Sequence, residues 1–87
     1  SLMYEGKIYS YRFSNAVLPR DAVPAGKISS VSLSEPQKDY ETARSLDIGT
    51  ELFVSPGRPG SVYAKTGARR LDDGRGYIEY REETLNK

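Results

Sequence analysis

The chain has no cysteine and no histidine among its 87 residues. Without cysteine, it forms no disulfides, no thiolate nucleophiles and no cysteine-based metal sites. Without histidine, it lacks the commonest general base of enzymes and the commonest ligand of transition metals. Serine–histidine triads and cysteine–histidine pairs are therefore excluded. We predict a protein that is not an enzyme and that holds no cofactor and no metal ion.

Long apolar runs are also missing from the sequence. No stretch approaches the ~18 apolar residues of a membrane-spanning helix, and no signal peptide with a basic segment followed by an apolar one is present. These features favour a soluble, cytoplasmic protein with no membrane partner, while the compartment itself stays unknown. Residues 1–2 precede a methionine and have the form of a cloning remnant, so we predict one small domain over residues 3–87.

Aliphatic residues are few, and tyrosine supplies part of the missing apolar area. Leucine, isoleucine, valine and phenylalanine together make up about a fifth of the chain, close to the ~20% below which disorder becomes common. The formal net charge is only +1, so charge repulsion does not oppose folding. Because seven tyrosines add apolar area, we expect a folded domain with a thin, tyrosine-rich core.

Short segments of alternating or β-branched residues recur between glycines and prolines, which is typical of strands. These segments are residues 4–13, 27–33, 51–55, 61–65 and 77–81. Residues 67–71 and 77–81 flank Asp72-Asp73-Gly74-Arg75-Gly76, a run of residues that accept positive φ. The sequence therefore predicts a terminal β-hairpin whose turn lies at residues 72–76.

A capping-box pattern predicts one short helix near residues 35–45. Ser34 has the form of an N-cap, Pro36 falls in the first turn, and Gln37 follows Ser34 by three residues. The predicted fold class is mainly β (a β-rich α+β chain), with five or six short strands in a small, strongly bent sheet or partly open barrel. An α+β sandwich with the helix on one face is the near alternative.

Charge is distributed unevenly along the chain, because residues 35–51 carry a net −3 and residues 52–78 a net +3. Basic groups beside aromatic rings that stack on bases are typical of small β-barrels that bind single-stranded nucleic acids. A solvated basic face is the plainer interpretation of the same residues. The candidate contacts for an anion or a nucleic acid are Arg58, Lys65, Arg69, Arg70, Arg75, Tyr63 and Tyr77.

Two functions of different classes follow from these observations. The first is a non-enzymatic small interaction module, most simply a protein-binding or self-assembling subunit whose contacts come from unpaired sheet edges, tyrosines and the divided charge. Its partner is then another protein or further copies of the chain in a homo-oligomer. The alternative is a nucleic-acid-binding small β-barrel that uses the basic hairpin. A concentration-dependent mass above 9.7 kDa indicates the first function, and affinity that falls with salt indicates the second.

Overall fold

Eight strands form one sheet in the computed structural model, which describes residues 1–43, 46–65 and 76–83. In chain order the strands are β1 Leu2–Tyr4, β2 Lys7–Ala16, β3 Val23–Lys27, β4 Ser30–Val31, β5 Glu41–Thr42, β6 Glu51–Val54, β7 Ser61–Lys65 and β8 Tyr77–Glu82. Their order across the sheet is β3-β6-β7-β8-β2-β1-β5-β4. Neighbouring strands run antiparallel except β4 and β5, which are parallel.

The sheet is strongly curled because its two outermost strands are consecutive in the chain. Only Ile28 and Ser29 separate β3 from β4, and such a link spans about 10 Å at most. A flat sheet of eight strands would instead hold these two edges roughly 34 Å apart. The link bonds to both ends of the strand order, since Ile28 N–H donates to Thr50 O at 2.9 Å and Ser29 N–H donates to Tyr40 O at 2.8 Å.

Tyr40 contacts both Tyr4 of β1 and Ala25 of β3. Its hydroxyl donates to Ala25 O at 2.9 Å, and its ring meets the ring of Tyr4 edge-on at a centroid distance of 5.9 Å. Gly26 lies beneath the Tyr40 ring with a φ of +123°, and a Cβ there would stand 2.6 Å from Tyr40 Cε1. Glycine is therefore required at position 26 both by the backbone angle and by the close approach of the ring.

The main core lies on the inner face of the curled sheet. Its buried side chains come from strands along the chain and from the β3–β4 link, and they are Leu2, Tyr9, Ile28, Leu52, Val62, Ala64 and Tyr80. A smaller cluster of Ala16, Tyr63 and Tyr77 lies on the outer face, with Leu18 and Phe53 packed against it. Strand β7 contributes to both clusters, because successive side chains of a strand point to opposite faces.

The predicted mainly β class with a strongly bent sheet is confirmed, whereas the count of five or six strands is too low. The first predicted strand is in fact a hairpin, since Glu5 (φ 51°) and Gly6 (φ 78°) form a two-residue turn between β1 and β2. Positive φ at both central residues is the geometry of the tight turns that hairpins favour. The remaining difference in the number of strands comes from β3, which contains a proline and a glycine, and from β4 and β5, which are two residues long.

The predicted helix at residues 35–45 is wrong, because the described part of that segment is irregular apart from β5. A tertiary hydrogen bond takes a donor that a helix would use, since Tyr40 N–H donates to Met3 O at 2.7 Å, and the nearby Gln37 N–H donates to the Glu41 side chain at 2.6 Å. Tyr40 also has a φ of 66°, which a right-handed helix excludes. Across the described ranges, no helix has the length and apolar character that crossing a membrane requires.

The predicted terminal strand over residues 77–81 is confirmed as β8. It pairs with β7, with Lys65 opposite Tyr77 and Ser61 opposite Arg81, and on its other side it pairs with β2. The predicted turn at 72–76 and the strand at 67–71 fall almost entirely outside the described residues, which resume at Gly76. The two strands that meet in this region are therefore residues 61–65 and 77–82.

We expect Gly26→Ala to lower the free energy of unfolding by about 1–3 kcal/mol through backbone strain alone, with a further loss from displacement of the Tyr40 ring. The matched control is Gly49→Ala, because Gly49 also has a positive φ (+94°) but has no atom within 4 Å of the position that an added methyl group would take. Urea denaturation measures both losses. Equal losses in the two variants would show that the Tyr40 contact does not constrain position 26.

Candidate interaction surfaces

The described members of the predicted basic site lie on or beside the outer face of β7 and β8. Tyr63 and Lys65 belong to β7, Tyr77 begins β8, and Arg58 lies in the loop that precedes β7. Arg69, Arg70 and Arg75 lie outside the described residues. The structure therefore brings four of the seven candidates to one region of the sheet.

The two tyrosines of this site are core residues. Tyr63 has no exposed surface and Tyr77 is 9% exposed. The Tyr77 ring packs edge-on against Phe53 at a centroid distance of 5.9 Å. Since a base stacks on the open face of a ring, Tyr63 and Tyr77 are not presented for stacking in this structure. Their burial also explains how a chain with few aliphatic residues fills a second apolar cluster.

The basic side chains of the site have partners within the protein. Lys65 Nζ lies 3.1 Å from Glu51 Oε1, across the two neighbouring strands β6 and β7. Arg58 Nη1 donates to Tyr63 Oη at 3.2 Å. This hydrogen bond, followed by the charge interactions with Tyr63 and Glu79, raises the pKa of Arg58 further above its usual value. Lys65 thus contributes less uncompensated positive charge than the sequence indicates, whereas the neutral hydroxyl of Tyr63 orients Arg58 without cancelling its charge.

A buried carboxylate lies among these groups on the outer face. Glu79 is 2% exposed, and its Oε2 accepts a hydrogen bond from Ser61 Oγ at 3.0 Å. Arg81 Nη1 stands 3.9 Å from the same oxygen. A buried charge requires partners of this kind to offset its loss of hydration. The nearby positive charges of the sheet therefore face Glu79. The sequence pattern did not indicate that this residue is buried.

The loop that carries Arg58 is fixed by Asp21. One carboxylate oxygen of Asp21 accepts the hydroxyl hydrogen of Ser55, and the other accepts Gly57 N–H at 2.9 Å. These bonds, led by the one from Ser55, hold the pKa of Asp21 below its usual value. Asp21 thereby ties the turn before β3 to the loop between β6 and β7.

The two edges of the sheet differ in how well they are protected. The β3 edge contains Pro24, which has no N–H to offer, and Lys27, whose charge opposes close approach of another strand. The β4 edge has neither, because residues 28–34 contain no charged residue and no proline. Val31 is 42% exposed and Leu33 is 88% exposed beside this edge. The sequence predicts a strand here but does not identify it as an edge, since strand order depends on distant pairings.

A groove of about 580 Å³ lies on the outer face near β1 and β2. Its residues are Met3, Gly6, Lys7, Ile8, Glu35, Glu82 and Glu83. Met3 and Ile8 lie opposite each other in the β1–β2 pair, and they point away from the inner core because their neighbours Leu2 and Tyr9 point into it. Sequence reasoning missed this groove because its members come from separate segments of the chain.

Acidic groups do not assemble into a metal site in the part of the chain that the structure describes. No group of three or more aspartate or glutamate side chains there has an arrangement that could hold a metal ion.

Comparison of the chain with protein-family models, with curated proteins and with solved structures finds no match. The function must therefore be inferred from the surfaces themselves.

Asp21 predicts a measurable pH dependence of stability. Its pKa is lower in the folded than in the unfolded chain, so its contribution is present above the unfolded pKa and is lost as the pH falls through the folded one. We expect Asp21→Asn to be less stable than the wild type at neutral pH and to lose less stability on acidification below about pH 4. Urea midpoints at several pH values measure this difference.

The control for this prediction is Asp47→Asn. Both variants replace an aspartate with asparagine, so they change the net charge equally. Asp47 differs from Asp21 because it is exposed and its carboxylate makes no hydrogen bond to the described residues. If both variants follow the same pH profile, the Asp21 bonds do not stabilise the loop.

Proposed function

We propose that this protein is a non-enzymatic interaction module that self-associates through the β4 edge. The observation that carries the proposal is the exposure of Val31 and Leu33 beside a strand edge with no protecting charge or proline. Exposed sheet edges of this kind are templates for pairing with another chain. The lack of histidine and cysteine supports the non-enzymatic part of the proposal.

The backbone of β4 has bonding capacity on its open side. Ser32 N–H donates to Thr42 O at 2.8 Å, toward β5. Because N–H groups alternate between the two sides of a strand, the N–H of Val31 points away from β5. Pairing with a second strand would give this group a partner and would cover part of the Val31 side chain.

The sequence of the edge is suited to pairing with its own copy. Residues 30–34 read Ser-Val-Ser-Leu-Ser, so the pattern of polar and apolar residues is the same in both directions. An antiparallel pair centred on Ser32 would place Val31 opposite Leu33 of the partner subunit. A two-fold interface requires a self-complementary surface of this kind, and the lack of charge removes like-charge repulsion between the copies.

Association would require a small change at the end of the edge. Ser34 N–H donates to Ser32 Oγ at 3.1 Å, and this bond accompanies a bend of the backbone at Leu33. A paired edge would exchange this local bond for one between strands. Such an exchange costs little because one hydrogen bond replaces another.

The nucleic-acid alternative stays a prediction. It still rests on the positive charge of residues 52–78, of which Arg58 and Lys65 are described. The burial of Tyr63 and Tyr77 favours self-association over stacking on bases. Titration into labelled oligonucleotides at about 50 and 200 mM salt separates the two functions, because phosphate contacts weaken steeply over that range.

We expect the wild-type protein to show a mass that rises with concentration from 9.7 kDa toward twice that value. Leu33→Lys should weaken this association more than tenfold, since each of the two copies loses apolar burial worth ~1.5 kcal/mol or more and gains a charge at the interface. Light scattering and sedimentation equilibrium measure the association constant.

The matched control is Val17→Lys. Val17 is also an exposed apolar residue (56%), but it lies just beyond the carboxyl end of β2 and away from the β4 edge. It should leave the association unchanged. A wild-type protein that stays at 9.7 kDa at every concentration, or equal weakening by both lysine variants, would overturn the proposal.

A further inference from the structure

The groove on the outer face combines an apolar floor with an acidic rim. Met3 and Ile8 form the floor, and both side chains are only partly buried. Glu35 and Glu83 also line the groove, together with Lys7 and Glu82, whose side chains belong to the opposite face of the sheet from Met3 and Ile8. The groove volume of about 580 Å³ falls within the ~300–1,000 Å³ that is usual for binding pockets.

The carboxylates of the rim are incompletely compensated. Glu35 is exposed, and its carboxylate has no partner among the described residues. Glu82 Oε2 lies 3.8 Å from Lys7 Nζ, and both side chains are substantially exposed, so this pair contributes little stability. Glu83 accepts a hydrogen bond from Ser10 Oγ, and its charge also acts on the amino group of Ser1.

We propose that this groove binds a lysine or arginine side chain of a partner protein, presented on an extended segment with apolar neighbours. The alkyl stem of such a side chain would lie on Met3 and Ile8, and its charged end would reach the glutamates, as long basic side chains do at other surfaces. Charge complementarity selects this occupant, because an acidic peptide or a phosphate backbone would be repelled by the same rim. The proposal does not depend on self-association at the β4 edge.

The geometry of the groove favours a side chain over a bare cation. The acidic residues of the described ranges do not converge as metal ligands, and the floor of the groove is formed by apolar side chains of β1 and β2. A hydrated metal ion gains nothing from an apolar floor. A side chain with an apolar stem and a cationic end uses both features.

The test is a fluorescence-anisotropy titration with three labelled synthetic peptides. In the first, leucine alternates with lysine; in the second, leucine alternates with glutamate; in the third, leucine alternates with serine. We expect the lysine peptide to bind and its affinity to fall as salt rises, with the other two peptides binding at least about tenfold more weakly. Equal binding of the three peptides, or no binding of the lysine peptide, would overturn the proposal.

Variants of the rim locate the binding to the groove. Glu35→Gln should weaken binding of the lysine peptide about threefold, the effect of one exposed ion pair, and Glu35→Lys should weaken it further. Glu35 is suited to this test because its carboxylate supports no described contact, so both variants should fold. Asp47→Asn is the matched control, since it removes the same charge from an exposed residue that does not line the groove.

The two remaining outcomes are also decisive. If Glu35→Gln and Asp47→Asn weaken the peptide equally, binding reflects overall charge and the groove is not its site. Leu33→Ser should bind the lysine peptide as the wild type does, because it removes the exposed apolar side chain of the β4 edge without adding a charge two residues from Glu35. If it fails to bind while remaining folded, the groove is not an independent site.

Discussion

The two-residue link between β3 and β4 is the constraint on which the rest of this structure depends. Ile28 and Ser29 join strands that stand at opposite ends of the strand order, so the sheet must curl until the end of β3 and the start of β4 come close together. Curling encloses the inner side chains from both directions, which lets a chain with few aliphatic residues bury a core. Ile28 is itself enclosed in that core. The link therefore connects the two ends of the sheet covalently and also contributes an apolar side chain to the core.

Tyr40 makes this closure specific. The link alone does not fix how β1 lies relative to β3. The Tyr40 hydroxyl donates to Ala25 O in β3. The backbone N–H and C=O of Tyr40 bond to Met3 and Ser29. One residue thus connects β1, β3 and the link to β4. The positive φ of Tyr40 is the strain that accompanies these contacts, and Gly26 gives the ring its space. Tyr40 thereby bonds to the carbonyl of Ala25 in β3, whose other residues stay exposed, and Val31 is exposed at the β4 edge.

The sequence predicted the class of the fold but not the way in which the sheet closes. Strands β6, β7 and β8 follow from local alternation and turn residues, because their pairings are between neighbours in the sheet and their faces are consistent. The helix prediction failed because a capping box describes only local preferences, and here the Tyr40 N–H donates to the distant Met3. No pattern in the sequence indicates that residues 2 and 42 lie side by side, which is the pairing that brings the 35–43 segment across β1. Long-range pairings of this kind decide edges and grooves, so neither surface was visible beforehand.

Charge shows most clearly how the fold changes the meaning of a sequence pattern. Of the basic residues in 52–78 that the structure describes, Lys65 pairs with Glu51, while Arg58 bonds to the neutral hydroxyl of Tyr63 and keeps its charge. In the groove, Glu82 pairs with Lys7, whereas Glu35 keeps a carboxylate without a described partner. A count along the chain gives equal weight to both sets of charges. The field that a partner meets depends mainly on the charges that the fold leaves uncompensated, and the groove lined by Glu35 and Glu83 presents such charges of negative sign.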